Sequence, residues 1–374
     1  MAQMQVTDSR LYWIAVQFCY HGLVFASLRT KLPSLGDRPN DESPSCVEDF
    51  MRALLFIVFL CLADNLSAVV PLDTVKWTKD SPVPSEAGIA HRVQSYFLVD
   101  FSEDAGRGKY GGLRDFARDT KLATAFQVVH ILVVANGQID PLAEGDKKEF
   151  WCRGMTSNRG LVRAFGGNTN FVSVLVDGNG RVAKISRIEN PSEVTEPIKK
   201  LYSSTRPIVT DVSQFPLSFK VPLEALCSGD IGRAMRSLSR VGADAPVFVK
   251  TVTDQVNRFI ETDTALLTNP ATLAADKMIA VKRLNGILAE FPKSAAAPAA
   301  KTALKKTKDD KQLAKEQQAY DMLMQYFSAM ERVSTKKIKD VQREWLPGIT
   351  AKYGGTYAAE VATMIRHASM LDEE

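Results

Sequence analysis

The stretch Tyr96-Phe97-Leu98-Val99-Asp100-Phe101-Ser102-Glu103-Asp104-Ala105-Gly106-Arg107-Gly108-Lys109 joins an apolar run to a glycine-rich turn. Val93 to Phe101 reads as a buried strand. Tyr110 to Leu122 then carries Leu113, Phe116 and Ala117 at helical spacing. Phe126 to Ala135 (FQVVHILVVA) is a second apolar run rich in β-branched residues, the mark of a strand covered on both faces. Two such strands separated by a helix make a parallel crossover unit.

Further along, Phe150 to Phe165 is expected to be helical, or helical with a loop. Phe171–Val176 and Arg181–Ile185 flank Asp177-Gly178-Asn179-Gly180, a hairpin turn signal. Ser192 to Tyr202 follows with Val194, Ile198 and Leu201 on one helical face. The order over 93–202 is therefore strand–helix–strand–helix–strand–strand–helix, with a glycine-rich turn after the first strand.

That order, together with the turn after Asp100, resembles the thioredoxin family. The resemblance implies a central mixed sheet flanked by helices, an α/β thioredoxin-like domain. It also implies a reactive dithiol at the turn, one cysteine on each side of two residues. Ala105 and Gly108 stand in those two places. Leu161-Val162-Arg163-Ala164-Phe165-Gly166 resembles the family's approach to its fourth strand, where a cis-proline normally faces the dithiol. No proline occurs between Leu142 and Asn190. The resemblance thus implies a kept fold with its redox chemistry removed.

Residues 203–222 hold Pro207, Pro216 and Pro222 with little periodicity and read as an extended linker. Beyond it the chain reads as helical to residue 374. Leu223, Leu226, Ile231, Met235 and Leu238 mark one apolar face, and Val249, Val252, Val256 and Phe259 mark the next. Asn269-Pro270 is expected to start a helix carrying Leu273, Val281, Leu284 and Leu288. An internal echo links Ile287-x-Ala289-Glu290-Phe291-Pro292-Lys293-Ser294-Ala295-Ala296-Ala297-x-x-Ala300 with Ile349-x-Ala351-Lys352-Tyr353-Gly354-Gly355-Thr356-Tyr357-Ala358-Ala359-x-x-Ala362. With Ala225-Leu226-x-x-Gly229-Asp230-x-x-x-Ala234, these segments resemble tetratricopeptide-like helical repeats. The resemblance implies an all-α C-terminal region over 223–374 whose stacked pairs hold a protein or peptide partner.

Chemistry in the sequence is sparse. Ala105-Gly106-Arg107-Gly108 is either a plain turn or an anion contact using Arg107 and Lys109, since its amides open toward a helix start. Trp151-Cys152-Arg153-Gly154-Met155 bears a chance likeness to a thioredoxin site, placed after the second strand instead of the first. Cys152 and Cys227 are open to three readings: packing, a mutual disulfide, or a reactive thiol at Cys152 beside Arg153 and Lys148. Asp177 to Gly180 begins like a calcium loop, but Arg181 and Ile188 occupy ligand positions, so it reads as a turn. His91 and His130 have no metal-type spacing to other ligands, and no Ser–His–Asp motif stands out. Lys301 to Lys315, interleaved with Asp309 and Asp310, reads as a solvated face. No cofactor is implied.

Met51-Arg52, the run Ala53 to Ala63 and the exit Asn65-Leu66-Ser67-Ala68 have the layout of a secretory signal peptide over 51–68. Residues 1–50 are then expected to be an upstream over-extension of the reading frame, poorly folded. Residues 69–92 form an N-terminal segment of the mature chain. The run is shorter than the roughly 20 apolar residues that span a bilayer, so membrane contact is expected only through an uncleaved leader. The whole chain carries 47 Lys/Arg against 43 Asp/Glu, a balance of +4. Losing residues 1–68 removes five basic and seven acidic residues and raises it to +6. Such mild basicity does not suggest a nucleic-acid binder. Three of five cysteines, Cys19, Cys46 and Cys61, leave with the leader.

The expectation is thus an exported, redox-inactive binding or scaffold protein of the periplasm, cell envelope or extracellular space. The competing class is a thiol oxidoreductase or peroxidase-like enzyme using Cys152. N-terminal sequencing of the exported protein should find a start at or near Val69; an intact Met1 would overturn the leader reading.

Overall fold

In a computed structural model, the structure describes residues 70, 75–78, 81–100, 126–135, 152–156, 160–167, 169 and 171–369. The strands are β1 (Val75–Trp77), β2 (Val93–Asp100), β3 (Val128–Ala135), β4 (Cys152–Thr156), β5 (Phe171–Val176) and β6 (Val182–Arg187). They form one sheet in the order β1-β4-β3-β2-β5-β6. β4, β3 and β2 run parallel, while β5, β6 and β1 are antiparallel to their neighbours. Every residue of β2, β3 and β5 is buried, as continuous apolar strands require when both sheet faces are covered.

Strand alternation sorts these residues onto two faces. Tyr96, Leu98, Ile131, Val133, Cys152, Val172 and Val174 point into one core. Phe97, Val99, Leu132, Val134, Phe171 and Leu175 point into another. Among the described residues, Pro191–Val194, a short 3-10 turn, and a following helix cover the second face through Val194 and Ile198.

The helices are α1 (Glu86–Ile89), α2 (Leu161–Gly166), α3 (Thr195–Leu201), α4 (Lys220–Cys227), α5 (Ile231–Ser237), α6 (Ala245–Thr268), α7 (Ala274–Glu290), α8 (Ala297–Lys306), α9 (Lys311–Met330), α10 (Ile338–Lys352) and α11 (Tyr357–Ala368). A mixed sheet followed by an all-helical C-terminal region is therefore the architecture. The helices do not extend away from the sheet. Phe165 of α2, Met278 of α7, Leu323 and Phe327 of α9, Leu346 of α10 and Val361 of α11 join the first sheet face in one hydrophobic cluster. A further core gathers α4, α5, α6 and α8 around Leu226, Phe248, Phe259 and Ala300. Within 203–222, Ile208, Val209, Phe215 and Phe219 are buried in that core. All described residues belong to one compact unit.

Several local expectations are corrected. Cys152–Thr156, expected as part of a helix, is a strand: it supplies partners to the open side of β3, with Ile131 opposite Cys152, and helix begins only at Leu161. The helix expected at Asn269-Pro270 starts at Ala274 instead. Asn269 spends its side chain on the Ala271 N–H and its carbonyl on the Thr272 N–H, which closes a turn. On α6, Phe248 takes the buried place expected for Val249, which is 40% exposed. Both choices fit a helical stripe, but the Phe248 ring stacks on Phe219 at 5.4 Å and meets Phe215 at 5.4 Å. The turn 101–109 and the helix expected over 110–122 lie outside the described residues.

The repeated segments do form helix–turn–helix corners, α7–α8 and α10–α11. Thr356 caps α11 by accepting the Ala359 N–H. Ala297, Ala300, Ala358 and Ala362 are buried where the helices meet. The hairpin turn is also as expected: Asp177 Oδ1 accepts the N–H groups of Asn179 and Arg181 at 2.9 Å. Ala358 is fully buried against the sheet-facing core, so Ala358→Leu should destabilise the fold by about 1–3 kcal/mol in urea unfolding. Ala296 is only half-buried, and Ala296→Leu should cost clearly less. Equal costs would mean that close helix approach does not govern these corners.

Candidate functional site

β2, β3 and β4 end in one row, Asp100–Ala135–Thr156. Ligands of parallel sheets commonly meet this carboxyl edge. Asp100 is 1% exposed, and Arg163 of α2 brings its guanidinium to 3.8 Å from Oδ2. Ala105, Gly108, Arg107 and Lys109, which follow Asp100, lie outside the described residues.

Cys152 stands elsewhere. It shares a row with Ile131 and Tyr96, four residues back from the edge, or roughly 13 Å at the strand rise. The side chain is fully buried, and its Sγ donates to the Ser228 carbonyl at 2.8 Å. Burial pushes the thiol pKa far up. Cys227 closes α4, is 2% exposed, and is pushed up to about 12 by burial although Arg92 opposes this. Both thiols are free and stay protonated at neutral pH. A protonated, enclosed sulfur is a poor nucleophile.

Arg92, 1% exposed, lies among these groups. Its guanidinium donates to the carbonyls of Gly88, Leu226, Val128 and Cys227 at 2.6–3.0 Å. It therefore caps the C-terminus of α4 and fixes it to α1 and β3. Gly88 and Gly229 touch beside it: a Cβ on Gly88 would fall 1.8 Å from the Gly229 carbonyl oxygen. At the other end of α1, Glu290 of α7 accepts the Glu86 and Ala87 N–H groups. These contacts are those of a structural junction.

The neighbouring residue starts a second buried network. His91 Nε2 is 3.4 Å from Asp263, and Arg283 forks onto the same carboxylate at 2.6 and 3.1 Å. Arg283 also donates to the Asn179 carbonyl in the hairpin turn. Burial raises the Asp263 carboxyl, but Arg283 and His91 outweigh it and hold the pKa below the ordinary range. Burial lowers His91. Neither Asp263 nor Arg283 stood out in the sequence. The available signal was a charge inside an apolar stripe: Phe259-Ile260-x-x-Asp263-x-x-x-Leu267 on α6, and Arg283 beside Leu284 on α7.

One open surface feature sits on the C-terminal helices. A shallow groove of about 730 Å³ separates α5 from the start of α6. Met235, Leu238, Ala245, Pro246, Val249 and Thr253 form it, with Lys250 and Asp254 at one end. Val249 is 40% exposed there.

Among the described residues no group of three or more His, Cys, Asp or Glu side chains is placed to hold a metal ion. No described helix is long and apolar enough to cross a membrane.

His130 carries a testable consequence. It sits inside β3, and burial, with Arg92 adding to it, pulls its pKa down to about 3. A histidine depressed on folding supports the fold while neutral, so that stability is present above its unfolded pKa of about 6.5 and is lost as pH falls toward 3. Stability should fall in that window by up to about 1.4 kcal/mol per pH unit from this group, and His130→Gln should flatten the slope in urea unfolding at stepped pH. An unchanged slope would show that His130 is not held neutral. No protein-family model matches this chain, and neither a curated protein nor a solved structure is significantly similar to it.

Proposed function

We propose that this chain is an exported binding or scaffold protein of the cell envelope, with a redox-inactive thioredoxin-like sheet as its rigid platform. The burial of both thiols carries this reading. Disulfide exchange needs a thiolate that can reach a substrate sulfur. Cys152 is fully buried with its pKa pushed far up, and Cys227 is nearly so. The strand order supports the thioredoxin likeness, with three parallel strands followed by an antiparallel hairpin on one edge. Partner binding falls to the C-terminal helices, as protein or peptide recognition on their exposed apolar surface, of which the α5–α6 groove is a part.

The competing reading, a thiol enzyme using Cys152, requires this sulfur to be reached without unfolding. Alkylation of the native protein should label neither cysteine at a rate comparable with the urea-unfolded protein, and insulin reduction should be absent. Disulfide reduction that disappears in Cys152→Ser would overturn the proposal. Sheet and helices share one core, so partner capture is best compared in full-length chains with surface substitutions.

A further inference from the structure

The segment from Lys293 to Lys315 holds seven lysines against two aspartates, with no arginine and no aromatic residue. Its fold turns these charges outward. Ala297, Ala300 and Ala303 bury one side of α8 in the core shared with α4, α5 and α6. At helical spacing Lys301, Lys305 and Lys306 fall on the other side, and all three are exposed. Lys293 is exposed in the turn before α8, and Lys311 in the first turn of α9. Among the described residues none of these five lysines has an ion-pair partner. Asp310 is used within the fold. It caps α9 by accepting the Gln312 and Leu313 N–H groups and meets Lys277 at 3.6 Å. Asp309 is the one acidic group of the segment left exposed beside the lysines.

The chemistry of this face selects among anionic partners. Leu304 is half-buried and Leu313 is buried, so no large apolar anchor for a protein partner faces outward here. A carboxylate held in fixed register is best taken by an arginine fork, whereas lysine is a compact, mobile point charge. Nucleic-acid surfaces add arginine for base edges or aromatic rings for stacking, and the segment has neither. A fluid layer of anionic headgroups asks only for a cluster of positive charges on one helical face.

We propose that the lysine face of α8 and the start of α9 docks on a membrane surface of anionic phospholipid. Lys301, Lys305 and Lys306 lie over the headgroups, with Lys293 and Lys311 at the two ends. The attachment is electrostatic: α8 keeps its alanines in the protein core, so contact is made without insertion into the bilayer. Its reach is set by the Debye length, about 10 Å at 0.1 M salt. The proposal goes beyond the binding-module reading and rests on neither the thiols nor export. It gives the folded chain a means of membrane contact separate from any leader.

The probes are vesicles of phosphatidylcholine, alone or with about 30% phosphatidylglycerol, sedimented with the full chain. Binding to the anionic vesicles should be about tenfold tighter or more at roughly 0.1 M salt, and the margin should vanish near roughly 0.5 M. Lys301→Glu/Lys305→Glu/Lys306→Glu should weaken it about tenfold or more. Lys184→Glu/Lys199→Glu/Lys200→Glu makes the same change of net charge on β6 and α3, and should weaken it no more than about twofold. Every variant is the full chain, so any contribution from the leader is common to all. The six lysines are exposed, so thermal melts should be unchanged; the corresponding Gln triple replaces a Glu triple whose melt shifts. Equal weakening by the two triples would overturn the proposal, since net charge and not this face would then govern binding. So would equal binding to neutral vesicles, or capture of polyglutamate or duplex DNA that the first triple abolishes while anionic vesicles go unbound. The thiol assay remains separate: rapid native alkylation of Cys152 sinks the redox-inactive platform and leaves the vesicle result standing.

Discussion

Two adjacent buried side chains, His91 and Arg92, hold the sheet and the helices in one arrangement. They sit immediately before β2, at the entrance to the centre of the sheet. Arg92 gathers carbonyls from α1, β3 and α4, and His91 reaches Asp263 on α6, which Arg283 of α7 holds from the other side. His91 also has a left-handed backbone, φ 55°, which a non-glycine residue adopts only when its surroundings enforce it. Removing one member of a buried ion pair leaves an uncompensated charge and costs about 3–5 kcal/mol. The geometry of this junction is therefore strongly selected, because a displaced helix would strand either a guanidinium or a carboxylate in an apolar interior.

The second constraint is α7, which has no solvent-facing apolar choice left to make. Ala275, Met278 and Ile279 enter the core on the sheet face, while Ala280, Leu284, Ile287 and Leu288 enter the core of α4, α5, α6 and α8. Its Arg283 pins the hairpin turn, its Asp276 pairs with Arg181 at 2.7 Å, and its last residue caps α1. Tyr357 at the start of α11 adds a bond to the same turn, accepting the Val182 N–H at 2.9 Å. A helix used on both sides cannot form the open inner wall of an array. The apolar faces of α9, α10 and α11 are likewise taken up by the sheet. Large apolar side chains left exposed on the helical region are Leu217 and Val221 at the start of α4, Val247 and Val249 on α6 and Leu273 before α7.

Which elements could be read from the sequence follows from this packing. β2 and β3 were plain because burial on both faces demands unbroken apolar runs, and the β5–β6 hairpin was plain because its turn chemistry is local. Cys-Arg-Gly-Met-Thr carries neither signal: β4 is a strand because β3 needs a partner on that side, which is a long-range fact. Val249 and Phe248 fit the α6 stripe about equally by spacing, and the choice belongs to Phe215 and Phe219, some 30 residues earlier. Asp263 and Arg283 were visible only as breaks in two separate stripes. Their pairing depends on how α6 and α7 cross. The thiols were visible as residues, but their burial depends on the packing of α4 and the closure of the sheet by helices.

The distribution of polar groups bears on where activity can reside. Among the described residues, Arg92, Asp263, Arg283 and Glu290 are spent on carbonyls, a helix end and one another. Charges used this way hold the helices against the sheet. On the outside, the turning-in of Phe248 completes the aromatic stack and, by the same rotation of α6, turns Val249 out into the α5–α6 groove. Core packing and the exposed face of α6 are thus set by a single helical phase. Any substitution that rotated α6 to bury Val249 would have to expel Phe248 from its contacts with Phe215 and Phe219, so the core itself maintains the apolar floor of the groove.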